Sequence, residues 1–399
     1  MNMADPAPAA GRDVVLSVRD LSVVYDGPQP VRAVRDVSFD LARGEVLGIA
    51  GESGCGKSTL AYAITRLLKP PGRVTAGEVV FRPGDGPAVD LATLHGEALR
   101  RFRWNRVAMV FQGAMNALNP VLSVRRQLAD VFTAHRPELG RRDREQRCRE
   151  LLDLVGIGPE RLSAYPHELS GGMRQRVLIA MAMALRPDVI VMDEPTTALD
   201  VVVQRDILTE IDRLRARFGF AVVFITHDLS LLLEISDRLA VMYGGRIVEQ
   251  GRAADLYASA HHPYTVGLLR SFPRLRGERT VLHGIPGSPP DLSRPPAGCA
   301  FTARCPYVFD ACHRLDPPLL PATTGTASTR AACLHYDPVR RPDGPPPALR
   351  AGDFDVPGEP HTPGGSATAA DDVPPGTADG DTNDRAGNVD GGTTTGETR

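Results

Sequence analysis

The stretch GESGCGKSTL, residues 51–60, follows a continuous apolar run and fits the pattern Gly-x4-Gly-Lys-Ser/Thr. A loop of this kind wraps nucleotide phosphates, with the N-terminus of a following helix behind it. A ligand-free Gly-rich turn between a strand and a helix is the alternative. We expect Lys57 to reach the β and γ phosphates, Ser58 to bind Mg²⁺ and Thr59 to add a phosphate contact. The phosphate-facing backbone N–H groups are expected from Gly51, Glu52, Ser53, Gly54, Cys55, Gly56, Lys57 and Ser58.

The lysine of this loop is notable because lysine is scarce in the chain. Of the 46 Lys and Arg residues, only Lys57 and Lys69 are lysines. A compact ammonium fits among phosphate oxygens where the broad guanidinium fork of arginine does not. The retained lysine therefore favours a phosphate-binding role for the loop.

Composition excludes some function classes. The 399 residues carry a formal charge of −2 with a pI near 6.6, so there is no basic excess of the kind that indicates nucleic-acid binding. The N-terminal stretch has no apolar core typical of a secretory signal, and no apolar run approaches the ~20 residues that span a bilayer. We expect a cytoplasmic protein that reaches a membrane only through a partner.

Hydrophobic periodicity predicts a mixed α/β fold. Alternating apolar residues at 14–25 and 34–41 predict antiparallel strands, and the run at 45–51 predicts a buried strand. A helix is expected over 57–68, ended by Pro70-Pro71-Gly72. Further buried strands at 188–195 and 220–228, separated by a helix, favour a mainly parallel sheet.

The same patterns divide the chain into segments. Residues 1–12 are expected to be disordered, and a nucleotide-binding domain is expected over 13–260, with a mostly helical subdomain at about 95–186. A Pro-, Gly-, Cys- and His-rich extension follows at 261–337. Residues 338–399 have almost no large apolar side chains, which predicts a disordered tail.

Two adjacent acids end a predicted buried strand in VIVMDEP, residues 189–195. Parallel α/β sheets collect ligands at the carboxyl ends of their strands. We expect Asp193 to hold Mg²⁺ and Glu194 to act as general base toward the attacking water. The alternative is that these acids only cap the next helix.

The segment LSGGMRQR, residues 169–176, resembles the signature of ATP-binding cassette (ABC) ATPases. Ser170, Gly171 and Gly172 open a helix and so form a second anion-binding N-terminus. A head-to-tail dimer explains two such sites, because each γ phosphate is then clamped between the loop of one subunit and the signature of the other.

Further matches to this family support the resemblance. It implies that Tyr25 stacks on adenine, that Gln112 senses Mg²⁺ and the γ phosphate, that Ala198-Leu199-Asp200 contacts the partner subunit and that His227 is the γ-phosphate switch. Taken singly, Tyr25 fits an ordinary strand aromatic and His227 a buried core histidine. The implied fold is an ABC-type cassette with an antiparallel β subdomain, a helical subdomain and a small Cys-rich C-terminal extension.

Segments outside the cassette motifs resemble importers of the oligopeptide and dipeptide class. These segments are GAMNALNPVLSVRRQL after Gln112, HHPYTVGLLRSFPRL at 261–275 and GIPGSPPDLSRPPAGCAFTARCPY at 284–307. The chain departs from the usual pattern at Gly113-Ala114, in place of Asp-Pro, and at Val202, in place of Thr.

The resemblance implies a role in peptide import. The complex would contain two integral-membrane permease subunits, an extracellular substrate-binding protein and a second, often different, ATPase chain, with this subunit at the cytoplasmic face of the membrane. A nickel importer, a soluble non-transport ATPase and a redox-sensing metal module remain alternatives.

Four of the six cysteines lie close together in the extension. Cys299, Cys305, Cys312 and Cys333 are separated by five, six and twenty residues, whereas structural zinc sites usually contain a Cys-x2–4-Cys pair. A reducing cytosol disfavours disulfides. A [4Fe–4S] cluster fits the irregular spacing, and the resemblance points the same way, with zinc and free thiols as alternatives. The neighbouring His313 and His335 leave mixed ligation open, and Cys55 and Cys148 are expected to be ordinary cassette residues.

Overall fold

An antiparallel sheet forms the first part of the fold. The structure, a computed structural model, describes residues 13–113, 117–197, 199–271, 284–322 and 329–354. In this sheet β1 pairs with both β2 and β4, and its strand order is β2-β1-β4-β5. The strands are β1 (Val14–Tyr25), β2 (Val31–Ala42), β4 (Gly72–Phe81) and β5 (Val89–Asp90), and β3 lies in the second sheet.

A larger, mainly parallel sheet forms the centre of the molecule. Its order in the described part of the chain is β11-β12-β10-β9-β3-β8-β7-β6, and the pairs from β9 to β6 are all parallel. The strands are β3 (Val46–Ala50), β6 (Val107–Val110), β7 (Val189–Asp193), β8 (Ala221–Ile225), β9 (Arg238–Tyr243), β10 (Arg246–Arg252), β11 (Leu320–Pro321) and β12 (Arg330–Ala331).

Both faces of this sheet are covered, which explains the continuous apolar runs. Along β7, Ile190 and Met192 belong to one hydrophobic cluster, whereas Val189 and Val191 belong to another. Successive strand residues point to opposite faces, so a strand that is covered on both sides needs apolar residues throughout. The parallel α/β core predicted from 45–51, 188–195 and 220–228 is confirmed.

The helices surround this core. Those before β7 are α1 (Lys57–Ile64), α2 (Gly96–Phe102), α3 (Val124–His135), α4 (Arg141–Leu154) and α5 (Gly171–Met183). Those after it are α6 (Val201–Phe218), α7 (Leu229–Ile235), α8 (Ala253–Ala258), α9 (Pro263–Arg270) and α10 (Pro347–Arg350).

Two expectations about these elements need correction. Helix α1 ends at Ile64 rather than at 68, and Arg66 beyond it adopts a φ of 58°, outside the helical region. The prediction of mostly helix over 95–186 missed β6, whose four residues VAMV are all buried beside β7. A run of four apolar residues is too short to distinguish a strand from a helix by periodicity.

The C-terminal region joins the central sheet directly. Strand β12 pairs antiparallel with β10 through Glu249–Ala331 and Gln250–Arg330. Residues 338–354, expected to belong to a disordered tail, include α10, and its Leu349 is fully buried in a core cluster together with Phe354. This helix was not predicted because Leu349 and Phe354 are isolated apolar residues in a polar segment and form no periodic pattern.

The two ends of the chain lie outside the described residues. The chain divides into two units, 1–357 and 358–399, and the described residues all belong to the first. Residues 1–12 and 355–399, which we expected to be disordered, lie outside the described residues. Among the described helices, none is both long and apolar enough to cross a bilayer.

The two-faced core leads to a stability prediction. Val222, in the middle of the central sheet, is fully buried, and Val339 is 82% exposed. Val222→Ala should lower the free energy of unfolding by about 2–3 kcal/mol, because it removes buried methyl groups and leaves a cavity. The same substitution at Val339 should change it by less than about 0.5 kcal/mol. Denaturant unfolding measures both, and equal effects would contradict the assignment of β8 to the core.

Candidate functional site

The loop after β3 has a tight backbone conformation that depends on glycine at two positions. Gly51 and Gly56 have φ values of 150° and 105°, and a Cβ atom there would lie 2.3 Å from Met242 O and 2.2 Å from Ala33 O. Only glycine adopts these angles and fits these contacts. The loop leads directly into α1, whose first residue is Lys57.

The Lys57 ammonium is held inside the loop. Its Nζ donates to the carbonyl oxygens of Gly51 at 2.7 Å and Glu52 at 2.9 Å, and the side chain is buried. Burial also raises the pKa of the adjacent Cys55 thiol, which is therefore protonated and unreactive at neutral pH. The lysine is thus the charged group of the loop interior.

Ser58 and Asp193, which are 135 residues apart in sequence, meet at the base of the loop. Ser58 Oγ donates to Asp193 Oδ1 at 3.1 Å. Asp193 is fully buried, and its Oδ2 has no hydrogen-bond partner among the described residues. A buried, unpartnered carboxylate oxygen beside a hydroxyl suits a hard cation such as Mg²⁺.

Glu194 is the centre of a polar cluster at the end of β7. Its Oε2 accepts from Gln112 Nε2 at 3.1 Å and from Thr197 Oγ1 at 2.9 Å, and its Oε1 lies 3.2 Å from His227 Nδ1. The backbone of Glu194 has a φ of 46°, and its N–H donates to Ile225 O at 2.8 Å. Non-glycine residues in this region store strain and are concentrated at functional sites. The structure brings the three predicted catalytic side chains together, and sequence reasoning missed Thr197.

The pKa values of the two adjacent acids are shifted in opposite directions. Burial raises the pKa of Asp193, and the hydrogen bond from Ser58 offsets only part of this effect. Burial also opposes the charge on Glu194, but hydrogen bonds from Thr197 and His227 outweigh it and lower its pKa. Glu194 is therefore ionised at neutral pH and able to accept a proton, whereas Asp193 gains from a neighbouring cation.

Tyr25 lies beside the start of α1. Its hydroxyl is 3.2 Å from Thr59 Oγ1, so the ring at the end of β1 is next to the phosphate loop. Gly72 makes room for this ring, because a Cβ there would lie 2.8 Å from it. The adenine-stacking role of Tyr25 stays a prediction.

The signature segment begins helix α5. Ser170 Oγ accepts from Met173 N–H at 3.3 Å, and Gly171 is the first helical residue. Gly172 packs closely on α6, since a Cβ there would lie 2.7 Å from a methyl group of Val203. No hydrogen bond among the described residues joins Ser170 to the phosphate loop.

Asp200 lies at the start of α6, the helix that contacts the signature segment through Val203. Its Oδ1 accepts from the backbone N–H groups of Val202 and Val203 at 3.1 and 2.9 Å, so the side chain caps the helix. Ala198, the first residue of the predicted contact loop, lies outside the described residues. The role of Asp200 in dimer contact stays a prediction.

The C-terminal extension reaches the phosphate loop. The Arg304 guanidinium donates to both carboxylate oxygens of Glu52, at 2.8 and 2.9 Å, and Glu52 N–H donates to Tyr264 Oη at 2.8 Å. We expected this N–H to face phosphate, but in the structure it points to the extension. No sequence signal identifies these contacts, because 252 and 212 residues separate the partners.

The four cysteines of the extension line one small cavity. Cys299, Cys305, Cys312 and Cys333 surround a space of about 20 Å³ and form no disulfide. Burial raises the pKa of each thiol, to about 11 for Cys299 and about 12 for Cys305. The space suits about one water molecule, and no group of metal-ligating side chains with the spacing of a formed ion site occurs in the described part of the chain.

Comparison with known proteins identifies the family. The ABC transporter family profile matches residues 34–197, and that of the oligopeptide/dipeptide transporter C-terminal region matches 248–312. A probable peptide ABC transporter ATP-binding protein of Sinorhizobium fredii is 46% identical over 332 residues, which are 82% of this chain and 96% of that protein. The chain belongs to the ABC transporter ATP-binding proteins. As a cassette of this family it is an ATPase.

Other similar proteins support this family assignment. A dipeptide transport ATP-binding protein of Bacillus subtilis is 44% identical over 76% of this chain and 90% of its own length. An oligopeptide transport ATP-binding protein of Mycobacterium tuberculosis is 46% identical over 82% of this chain but only 52% of its own length. Among solved structures, the dimeric bacterial cassette MJ0796 is 28% identical with a TM-score of 0.53, over 60% of this chain and 98% of that one.

Because Asp193 is buried, we expect its charge to lower the stability of the cassette. Asp193→Asn should raise the free energy of unfolding at pH 7 in buffer without metal or nucleotide, because it removes a buried charge. Because burial raises the pKa of Asp193 in the folded protein, its charge lowers the free energy of unfolding of the wild type at pH values above that pKa. The gain should therefore shrink as the pH falls through that pKa toward the unfolded value of about 3.9.

Urea unfolding at several pH values measures this effect, with Asp206→Asn on the exposed face of α6 as the matched control. Loss of stability in Asp193→Asn at pH 7 would contradict the electrostatic argument. Binding of ATP in the presence of Mg²⁺ should weaken in Asp193→Asn and stay unchanged in the control.

Proposed function

We propose that ATP hydrolysis by this chain powers the import of dipeptides or oligopeptides through a membrane complex. The observation that carries the proposal is a phosphate-loop ATPase continuous with a C-terminal segment that matches the oligopeptide/dipeptide transporter profile. The printed names of the relatives, which include peptide, oligopeptide and dipeptide transport proteins, support the same cargo class. The chain is the ATP-binding subunit of such an importer.

The proposed complex contains two permease subunits and an extracellular substrate-binding protein. The chain acts as a peripheral subunit at the cytoplasmic face, with residues 13–260 as cassette, 261–337 as extension, and 1–12 and 338–399 as termini outside both. A second, different ATPase chain completes the nucleotide sites. Each site forms between the phosphate loop of one subunit and the Ser170–Gly172 helix start of the other. The similar cassette MJ0796 is dimeric, which supports pairing of two cassettes.

The site contacts support the following nucleotide chemistry. Lys57 binds the β and γ phosphates, assisted by Thr59 and the N–H groups of the loop, and Tyr25 stacks on the base. Ser58 Oγ and Asp193 would hold Mg²⁺, with Gln112 after the end of β6 as a further ligand. Bound there, the cation would supply charge neutralisation for the phosphates.

Glu194 is the proposed general base. It is ionised at neutral pH, and each of its oxygens is oriented by a hydrogen bond, to Gln112 and Thr197 on one side and His227 on the other. The carboxylate takes a proton from the attacking water, and His227 orients the carboxylate and contacts the γ phosphate.

We further propose that Cys299, Cys305, Cys312 and Cys333 ligate a [4Fe–4S] cluster. Their convergence on one cavity supports this assignment. A cavity of about 20 Å³ would have to widen to admit a cluster, so ligation requires movement of the segments that carry the thiols. Such a cluster would cross-link an extension that has little regular structure.

Glu194→Gln tests the transport function. The variant should bind ATP normally but lose ~10²–10⁴ in turnover, because the amide cannot accept the proton. In vesicles that contain the assembled complex, uptake of a labelled peptide should fall by the same factor. The matched control is Glu78→Gln on the exposed part of β4.

Two outcomes would contradict parts of this proposal. Turnover near the wild-type value in Glu194→Gln would remove Glu194 from the role of base. The wild-type complex could also hydrolyse ATP but neither be stimulated by any dipeptide or oligopeptide nor take one up. That result would reject the cargo class while leaving the ATPase assignment intact.

Anaerobic purification tests the cluster. The full-length protein should be brown and contain about four iron and four sulfide per chain. Cys305→Ser should lose the colour. Cys148→Ser should keep it, because Cys148 is buried in α4, outside the cysteine cavity. Stoichiometric zinc, or no metal under these conditions, would end the assignment.

A further inference from the structure

The extension grips the phosphate loop through one nearly buried arginine. The Arg304 side chain is only 4% exposed, and two of its nitrogens each donate to one oxygen of the Glu52 carboxylate. A forked arginine–carboxylate pair of this kind fixes orientation as well as distance. The second residue of the loop is therefore held from outside the cassette.

The other donors of the guanidinium anchor it within the extension and the core. Arg304 Nε donates to Pro286 O at 2.8 Å, and Nη2 also donates to Ile285 O at 3.1 Å. Nη1 lies 3.3 Å from Tyr243 Oη at the end of β9. Hydrogen bonds on every side leave the guanidinium one orientation, so it acts as a rigid clamp and not as a mobile surface charge.

The clamped residue controls the position of the lysine. Glu52 O accepts from Lys57 Nζ at 2.9 Å and from Cys55 N–H at 3.4 Å, while Glu52 N–H is held by Tyr264 Oη. The side chain, N–H and carbonyl of one residue are thus all engaged. The following Gly54 and Gly56 are conformationally permissive, so a loop without this anchor would sample many conformations.

We propose that Arg304 is a positioning residue for ATP binding: it holds Glu52, and through Glu52 it preorganises the phosphate loop and Lys57. The proposal rests on the assignment of residues 51–58 as the phosphate loop. It makes the C-terminal extension a structural part of the nucleotide site, whatever the metal content of the cysteine cavity.

The kinetic consequence is specific. Preorganisation lowers the entropic cost of binding, and a loop that must be ordered by the ligand binds it more weakly. The loop contacts phosphate in both ground state and transition state, so loss of its order should raise KM and leave kcat nearly unchanged. A purely structural role for Arg304 would instead lower stability without changing ATP affinity in the folded protein.

The experiment is an ATP titration of the purified full-length chain in the presence of Mg²⁺. Arg304→Met, which keeps much of the side-chain length but removes the donors, should raise the Kd for ATP about 10- to 100-fold. Arg304→Lys should recover only part of the affinity, because an ammonium cannot form the fork. Glu52→Gln should also weaken binding, and the double variant Arg304→Met/Glu52→Gln should be no weaker than the worse single variant.

The matched control is Asp316→Asn. Asp316 also joins the extension to the cassette, through Arg35 at 2.8 Å and Arg246 at 2.5 Å, but it makes none of the loop contacts. Its variant should bind ATP like the wild type, and kcat measured in the assembled complex should stay within about twofold for Arg304→Met.

Three results would overturn the proposal: a Kd within twofold of wild type in folded Arg304→Met, an equal loss in Asp316→Asn, or additive losses in the double variant. If Arg304→Met does not fold, an unchanged Kd in Glu52→Gln overturns the proposal from the cassette side. Failure of the wild-type chain to bind ATP would instead reject the nucleotide site itself.

Discussion

Parallel pairing of β3, β8, β7 and β6 is the constraint on which the site depends. Parallel strands end at the same edge of a sheet, so the segments that follow them meet there even when they are far apart in sequence. The phosphate loop follows β3, Gln112 follows β6, the acidic pair ends β7 and His227 follows β8. The hydrogen bonds around Glu194 and between Ser58 and Asp193 are consequences of this register.

Within that edge, neighbouring residues in sequence have different chemical environments. Asp193 is the last residue of β7 and is enclosed by the core, whereas Glu194 turns out of the strand and is surrounded by hydrogen-bond donors. A one-residue step thus separates a carboxylate suited to a cation from one suited to a proton. The left-handed backbone at Glu194 accompanies this change of environment.

Much of the central fold and of the site could be predicted from local sequence. Continuous apolar runs that end in glycine or acids identify β3 and β7 and the residues that follow them, since burial and chemistry both leave a pattern in a few consecutive positions. Strand β6 was not predicted because a run of four apolar residues is too short to show the periodicity of a strand or a helix. Thr197 and Arg304 escaped because a hydroxyl or an arginine is assigned to a site only by what it contacts in three dimensions.

The cysteine cavity illustrates an intermediate case. The sequence predicted that Cys299, Cys305, Cys312 and Cys333 come together, and in the structure all four line one cavity. The spacing alone left the nature of the site open, because thiols with irregular spacing suit several metals as well as none. A cluster at these thiols needs more space than the cavity of about 20 Å³ provides, and the width of that cavity depends on contacts from distant segments.

The pairing of Glu52 with Arg304 also has a consequence for the order of events during protein synthesis. A ribosome that adds about 5–20 residues per second produces Arg304 roughly 10–50 s after Glu52, because 252 residues lie between them. During this interval the nascent chain carries a complete phosphate-loop sequence without its clamp. Maturation of the nucleotide site therefore waits for the C-terminal region, which delays full ATP affinity until at least 304 of the 399 residues have been joined.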